Sequence, residues 1–136
     1  MRLWHKDLIS ILPRQQLVSQ WRECCLIAKN IAEKTSPHHL LVNKIMDYPI
    51  KHFIAYTYIV REEMLNRGYK CDGVKFTKYF DEWDNFFITR NEIFKDWHND
   101  RYLKQCLFNL DEKHDCGGIP DDEWEKINSK YYQIFE

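Results

Sequence analysis

Glycine-rich motifs, long apolar runs and regularly spaced cysteines are all missing from this chain of 136 residues. Its four glycines form no phosphate-binding loop, which argues against the enzymes that depend on such a loop. No apolar run approaches the ~20 residues that cross a bilayer, and no leader with a cleavage site precedes the body of the chain. We therefore expect a cytoplasmic protein that makes no contact with membranes.

The five cysteines are an odd number, and no two of them form a Cys-x-x-Cys motif. Neither a disulfide framework nor a structural zinc site is expected, because such zinc sites need four ligands in paired spacings. The one suggestive cluster is His114, Asp115 and Cys116, and no second pair accompanies it. The adjacent Cys24 and Cys25 are an alternative nucleophile, although no histidine stands close to them in sequence.

The net charge of -1 conceals an uneven distribution. Residues 1–80 carry 13 basic and 7 acidic side chains, whereas residues 81–136 carry 7 and 14. A basic half suits a nucleic-acid partner, because neutralised phosphates supply most of the non-specific affinity for DNA. Acidic groups such as Asp121, Asp122 and Glu123 also suit the start of a helix, where the dipole favours them, so the two interpretations are compatible.

Apolar residues recur at three- and four-residue steps, the spacing of a helix with one buried face. Four main helices are predicted in this way, at residues 14–33, 49–67, 100–113 and 120–131. Pro13 suits the start of the first helix, and Gly68 is expected to end the second in a left-handed conformation. Residues 1–12 should form an irregular arm that packs against the body of the protein.

The remaining segments are less regular. Residues 70–78 are predicted to be turn and loop. The aromatic-rich residues 79–97 are predicted to be a helical stripe of the core, with a platform for stacked DNA bases as the alternative. No strand-like alternation occurs, so the fold class is all-α: a single compact domain, residues 1–136, of three to four main helices with an N-terminal arm.

Helical rotation places Gln15, Ser19, Arg22, Glu23 and Leu26 on the flank of the first helix that faces away from its apolar stripe. Taken alone, an Arg-Glu pair on such a flank is usually a surface pair without a role. This pair does not stand alone, however, because it belongs to a larger set of apolar and polar residues in the same segment. The set consists of Leu8, Leu12, Gln15, Leu17, Arg22 and Glu23.

This segment resembles the pyrimidine-dimer DNA glycosylase and abasic-site lyase family, which has apolar anchors, a DNA-contacting glutamine and a catalytic Arg-Glu pair at these positions. Weaker similarities continue at residues 66–69, which close the second helix, and at Lys130, Tyr131 and Tyr132 in the C-terminal tail. The chain departs from the family's phage member at Gln16 and Leu26, where that enzyme has a histidine and an arginine.

The resemblance implies that the N-terminal arm threads between the helices and brings the chain's α-amine beside a glutamate. The amine would be that of Met1, and it would attack the sugar of a damaged nucleotide to form an imine. Glu23 would then transfer protons, and the strand would break by β-elimination. An α-amine suits this role because its ordinary pKa, ~7.7–8.0, lies well below the ~10.4 of lysine.

The resemblance also implies a partner, damaged double-stranded DNA. The expected DNA-binding residues are Arg2, Arg14, Gln15, Arg22, Lys29, Lys130, Tyr131 and Tyr132. Arg22 would grip a phosphate beside the lesion and stabilise the ionised Glu23. The basic first half should form the docking face, with the acidic second half turned away. We expect a monomer that needs neither a metal nor a small-molecule cofactor.

Two other classes of function stay open at this point. One is a damaged-DNA-binding module that has lost catalysis. The other is a helical protein-interaction domain unrelated to DNA, whose binding surface would be the acidic second half.

Overall fold

The computed structural model describes residues 2–34, 40–79 and 88–131. Within these ranges the backbone forms helices and turns and contains no strand, so the predicted all-α class is confirmed. The elements are a 3-10 helix at Lys6–Ile11, α1 at Arg14–Glu33, α2 at Leu40–Met46, α3 at Ile50–Asn66, α4 at Gly73–Thr77, a 3-10 turn at Arg90–Glu92, α5 at Asp100–Asp115 and α6 at Asp121–Tyr131. None of these helices is long and apolar enough to span a membrane.

The four long helices, α1, α3, α5 and α6, lie within two residues of their predicted bounds. Helix α1 begins after Pro13, whose fixed backbone angle suits a helix start. It ends where Lys34 adopts a left-handed conformation with φ of 55°. Helix α3 ends just before Gly68, whose φ of 78° is a conformation that glycine adopts without strain.

Two short helices, α2 and α4, are not predicted by the sequence pattern, and α4 lies where a turn and loop are expected. Both are stabilised by packing against the longer helices. Phe76 of α4 is fully buried, and its ring lies 6.1 Å from that of Phe53 and 6.4 Å from that of Trp21. Helices of five to seven residues are unstable alone and depend on such contacts.

Part of the aromatic-rich stretch, residues 80–87, lies outside the described part of the chain. Residues 88–99 form turns and the short 3-10 turn, so the predicted helix is wrong there. The prediction of core packing is right for Phe94, which is fully buried and has the ring of Trp97 5.0 Å away. These rings pack on one another across an irregular backbone, which a helical pattern cannot anticipate.

The arm, residues 2–12, runs through the interior of the protein, and its middle forms the 3-10 helix where an irregular segment is predicted. Leu3 and Leu8 are fully buried. Side chains from every long helix hydrogen-bond to the arm's backbone. They are Gln20 of α1, Tyr56 and Arg67 of α3, Arg90 and His98 from the segment before α5, Tyr102 of α5 and Tyr131 of α6.

Candidate active site

Glu23 lies on α1 with its side chain half-buried, next to the start of the arm. The backbone N–H of Arg2 donates to Glu23 Oε2 at 3.5 Å, which is near the upper limit for a hydrogen bond. Among the residues that the structure describes, no lysine or arginine side chain forms an ion pair with this carboxylate, so the expected contact from Arg22 is not seen. Met1 lies outside the described residues.

Gln20, one helical turn before Glu23, fixes the arm at this point. Its side chain is 1% exposed, and Oε1 accepts a hydrogen bond of 2.8 Å from the backbone N–H of Trp4. The Tyr56 hydroxyl lies 2.6 Å from the Trp4 carbonyl oxygen and 3.3 Å from the same Gln20 Oε1. Both backbone polar groups of Trp4 are therefore held by buried side chains.

A second tyrosine holds the preceding residue of the arm. The Tyr102 hydroxyl donates to the carbonyl oxygen of Leu3. Burial raises the pKa of both Tyr56 and Tyr102 above the usual value for tyrosine. Both hydroxyls consequently stay protonated at neutral pH and keep their hydrogen bonds to the arm.

The sequence alone suggests no role for Gln20, Tyr56 or Tyr102 at this site. One feature does single out Gln20, since it is a polar residue on the buried side of α1, three residues after Leu17. No comparable sequence feature singles out the two tyrosines. Tyr56 is indistinguishable from an apolar core residue until its partner, 52 residues away in sequence, is known.

Glu23 opens onto a cavity of about 590 Å³, a volume within the usual range for small-molecule sites. Both halves of the chain form its walls, which makes it a cleft between helices rather than a groove on one helix. The arm and α1 contribute Arg2, Trp4, Gln15, Gln16, Ser19 and Glu23, and the end of α5 and the turn after it contribute Asn109, Lys113, Cys116 and Gly118.

The expectation that the acidic second half is turned away is therefore wrong at this cavity. The last turn of α5 brings Lys113 to the cavity that contains Glu23. The N–H of Gly118 donates to the Lys113 carbonyl at 2.8 Å, which closes the end of the helix. Lys113 is a cation of the site that counting charges along the sequence did not find, because such counts carry no information about which side chains the fold brings together.

Arg14, Gln15 and Arg22 line a second cavity of about 590 Å³ on the exposed flank of α1. Gln15 and Ser19 line both cavities and so connect them. Lys29 is exposed two turns beyond Arg22 on the same helix. Arg14, Arg22 and Lys29, three of the cations predicted to bind DNA, thus lie on one side of α1.

Arg2 is the predicted cation whose backbone N–H contacts Glu23. Its side chain is half-buried and lines the first cavity, and its guanidinium lies 5.4 Å from the centre of the Trp4 ring. This distance allows a cation–π contact, which orients the guanidinium without neutralising its charge.

The predicted tail contacts are placed differently. Tyr132 lies outside the described residues. Tyr131 is buried, burial raises its pKa, and its hydroxyl donates to the carbonyl oxygen of Asp7 at 3.2 Å. Lys130 is exposed, with its ammonium nitrogen 5.7 Å from the Tyr131 ring. Tyr131 therefore fastens the arm, and its ring is not available to stack on a DNA base.

The structure gives little support to the two other sites suggested by the sequence, a cysteine nucleophile and a metal site. Cys24 is fully buried, and burial raises the pKa of its thiol, which disfavours the nucleophilic thiolate. Asp111, His114 and Asp115 have ligand atoms within 4.8 Å of one another, but Cys116 is not part of this group. Such largely exposed groups are common without a metal, so we assign these residues no role.

The model of a family described as pyrimidine dimer DNA glycosylase matches residues 1–76. No curated protein and no solved structure matches the chain. The matched range contains the arm, α1 with Glu23, and α3. It ends before α5, which contributes Lys113 to the cavity.

Proposed function

Because the chain belongs to the pyrimidine dimer DNA glycosylase family, we propose that it excises damaged bases from double-stranded DNA and then cuts the strand at the resulting abasic site. The observation that carries this proposal is the 3.5 Å contact between the Arg2 N–H and the Glu23 carboxylate. Successive α-carbons lie about 3.8 Å apart, so an amine one residue before this N–H is within covalent reach of the carboxylate. Amine and carboxylate are the two groups that imine chemistry requires.

In the first stage, the neutral α-amine of Met1 attacks the anomeric carbon, C1′, of the damaged nucleotide. The bond between C1′ and the base breaks, and the base leaves with the bonding electron pair. Glu23 takes a proton from the attached nitrogen and delivers it to the ring oxygen, so the bond between C1′ and the ring oxygen breaks and C1′ and the nitrogen form an imine. With an ordinary pKa of ~7.7–8.0, an α-amine has an appreciable neutral fraction near pH 7.5.

In the second stage, the imine makes the proton on C2′ acidic, and the Glu23 carboxylate removes it. The electrons of that C–H bond form a C2′–C3′ double bond, and the bond from C3′ to its phosphate oxygen breaks. Proton transfer of this kind contributes about 10²–10⁴-fold in rate. The covalent intermediate also divides one difficult reaction into two easier ones.

The buried contacts of the arm support this chemistry by fixing the approach of the amine. Gln20 and Tyr56 hold Trp4, and Tyr102 holds Leu3, so little freedom is left within two residues of the amino terminus. A group held in reacting geometry reacts far faster than one that must find it, and small displacements are costly. Gln20 and Tyr56 are accordingly positioning residues.

The DNA duplex is proposed to lie across the two connected cavities. Arg2, Arg14, Arg22 and Lys29 contact phosphates from the side of α1, and Gln15 contacts the distorted strand. We add Lys113, which lines the Glu23 cavity from α5. Cations on both sides of the Glu23 cavity fit a substrate whose phosphates flank the reacting sugar on either side.

Borohydride reduction of the imine tests this function, because it converts the intermediate into a stable protein–DNA adduct. The native protein should form the adduct with abasic-site DNA, and a form extended by a few residues before Met1 should not. Removing the extension so that Met1 is restored should recover the adduct, which controls for damage to the fold. Equal trapping by the extended form would show that the α-amine is not the nucleophile, and peptide mass analysis would then locate the reacting lysine.

A further inference from the structure

The second cavity on α1 contains a carboxylate among the arginines proposed to bind DNA. Arg14 and Arg22 line this cavity together with Glu123, which comes from α6 and is half-buried. The groups that attract a carboxylate also attract a DNA phosphate, since both are oxyanions that accept charge-assisted hydrogen bonds. A carboxylate fixed at this place therefore competes with the DNA backbone.

Glu123 is held at this place by the start of α1. The backbone N–H of Arg14 donates to Glu123 Oε1 at 3.2 Å, across 109 residues of sequence. Helix α1 has no side-chain cap of its own, because Pro13 occupies the capping position, and its first turn contains no acidic residue. Glu123 thus satisfies one of the free N–H groups at the positive end of this helix.

The negative charge of Glu123 is not cancelled by a direct contact. Across residues 2–34, 40–79 and 88–131, no ion pair involves Glu123, Arg14 or Arg22. The guanidinium of Arg14 instead lies 5.2 Å from the centre of the Tyr69 ring. A phosphate entering the cavity would therefore meet the field of Glu123 together with those of the two arginines.

We propose that Glu123 is an internal competitor of DNA phosphate that sets how tightly the protein holds undamaged DNA. This inference rests on the proposed function, since it takes DNA as the ligand of the α1 flank. Glu123 weakens attachment to the phosphate backbone whatever the sequence, while the lesion's own contacts with Glu23 and Lys113 lie in the neighbouring cavity. The protein consequently dissociates from undamaged duplex sooner and samples more sites in a given time.

The variant Glu123→Gln separates the charge from the cap, because an amide oxygen can still accept the hydrogen bond from Arg14. Glu125→Gln is the matched control: it changes the net charge equally on the same helix, and Glu125 is exposed and lines neither cavity. Filter binding to undamaged duplex should give a dissociation constant about fivefold lower for Glu123→Gln at low salt. The slope of log affinity against log salt should steepen by up to ~0.9. Glu125→Gln should change neither quantity by more than a small fraction.

Two binding results would overturn the inference: equal affinities for the native protein and Glu123→Gln, or equal gains for Glu123→Gln and Glu125→Gln. Thermal unfolding of each variant shows whether the proteins compared are equally folded. Borohydride trapping on abasic-site DNA, measured in parallel, reports on the proposed function separately. Normal trapping without a gain in binding refutes the role of Glu123 alone, whereas a gain in binding without any trapping refutes the lyase chemistry and leaves the competitor in place.

Discussion

The N-terminal arm and the exposed flank of α1 lie on either side of Glu23, and they differ in how their polar groups are satisfied. In the arm, the backbone groups of Leu3, Trp4 and Lys6 are bonded to buried or half-buried side chains from α1, α3, α5 and the turn before α5. On the flank, Arg14 and Arg22 are exposed, and within the described residues neither is paired with a carboxylate.

This difference matches the two tasks proposed for the regions. A reacting amine must be held within a fraction of an ångström, and only a buried network of satisfied hydrogen bonds provides that. Cations that meet a long, flexible polyanion gain more from being unpaired, because each then releases a counterion from a phosphate. Changes on the arm side should therefore alter catalysis and stability, whereas changes on the flank should alter binding and its salt dependence.

Glu23 itself should give the largest effect. Glu23→Gln keeps the shape and an acceptor for the Arg2 N–H but removes the base, so strand cleavage at abasic sites should fall by about 10²-fold or more. DNA affinity should not fall, because no phosphate contact is lost. Single-turnover cleavage and filter binding measure the two quantities, and near-normal cleavage by this variant would exclude Glu23 from proton transfer.

Gln20 tests the rigidity of the arm. Gln20→Leu removes the acceptor of the Trp4 N–H, and a donor left without a partner in the core costs about 1–3 kcal/mol, whereas the Tyr56 hydroxyl keeps its bond to the Trp4 carbonyl. We expect the free energy of unfolding to fall by about 1–3 kcal/mol and cleavage to fall with it, as measured by urea titration and kinetics. Gln105→Leu, on the exposed face of α5, is the control, and equal stability of the two variants would mean that the arm is not held through Gln20.

The pH dependence of stability tests the same region through His98. Burial lowers the pKa of His98 from its usual 6.5 to about 2, assisted by the nearby charges of His5 and Lys6. The ring stays neutral in the folded state, while the unfolded chain takes up a proton below pH ~6.5, so this contribution to stability is complete above pH 6.5 and is lost progressively toward pH 2. Each pH unit in that window removes at most about 1.4 kcal/mol for one histidine.

Urea unfolding between pH 7.5 and pH 4 measures that loss. The variant His98→Asn keeps an acceptor for the Lys6 N–H but cannot take up the proton, so its stability should depend less on pH than that of the native protein. His114→Asn, where the ring bonds to exposed Asp121, serves as the comparison. A native-like pH dependence in His98→Asn would show that His98 does not carry this effect.

The smallest effect is expected on the flank. Arg22→Ala should weaken DNA binding severalfold and flatten the salt slope by ~0.9, the loss of one phosphate contact, with no change in unfolding free energy. Lys113→Ala should do the same, contrary to what the acidic composition of its half suggests. Lys104→Ala, which is exposed on α5 and lines neither cavity, should leave the slope alone. Equal slopes for the native protein and Arg22→Ala would remove Arg22 from the docking surface.

Much of the fold follows from local pattern. The bounds of α1 and the stop at Gly68 depend on residues adjacent in sequence, and both are predicted correctly. The short helices α2 and α4 could not be predicted in this way, since their stability comes from packing against α1 and α3 rather than from their own seven and five residues.

The residues of the candidate site also differ in whether local sequence or distant partners determine their roles. Glu23 and the flank of α1 are predicted because they belong to one helix and one family pattern. Gln20, Tyr102 and Lys113 are missed because their meaning depends on partners far away in the chain. The Tyr102 hydroxyl, for example, is bonded to a carbonyl 99 residues earlier. Tyr131, which the tail motif predicts to bind DNA, is bonded in the structure to the backbone of the arm.

Two of the side chains that hold the arm lie far along the chain, which affects when the arm is held in place during synthesis. Asp7 is bonded to Tyr131, 124 residues later, and Lys6 to His98, 92 residues later. On a translating ribosome the arm emerges first, whereas His98 and Tyr131 emerge much later than Gln20 and Tyr56, so the arm gains its full set of hydrogen bonds only after α6 has left the exit tunnel. A polypeptide that ends before α6 would therefore carry Glu23 and the arginines of α1 beside an arm that lacks its hydrogen bond to Tyr131.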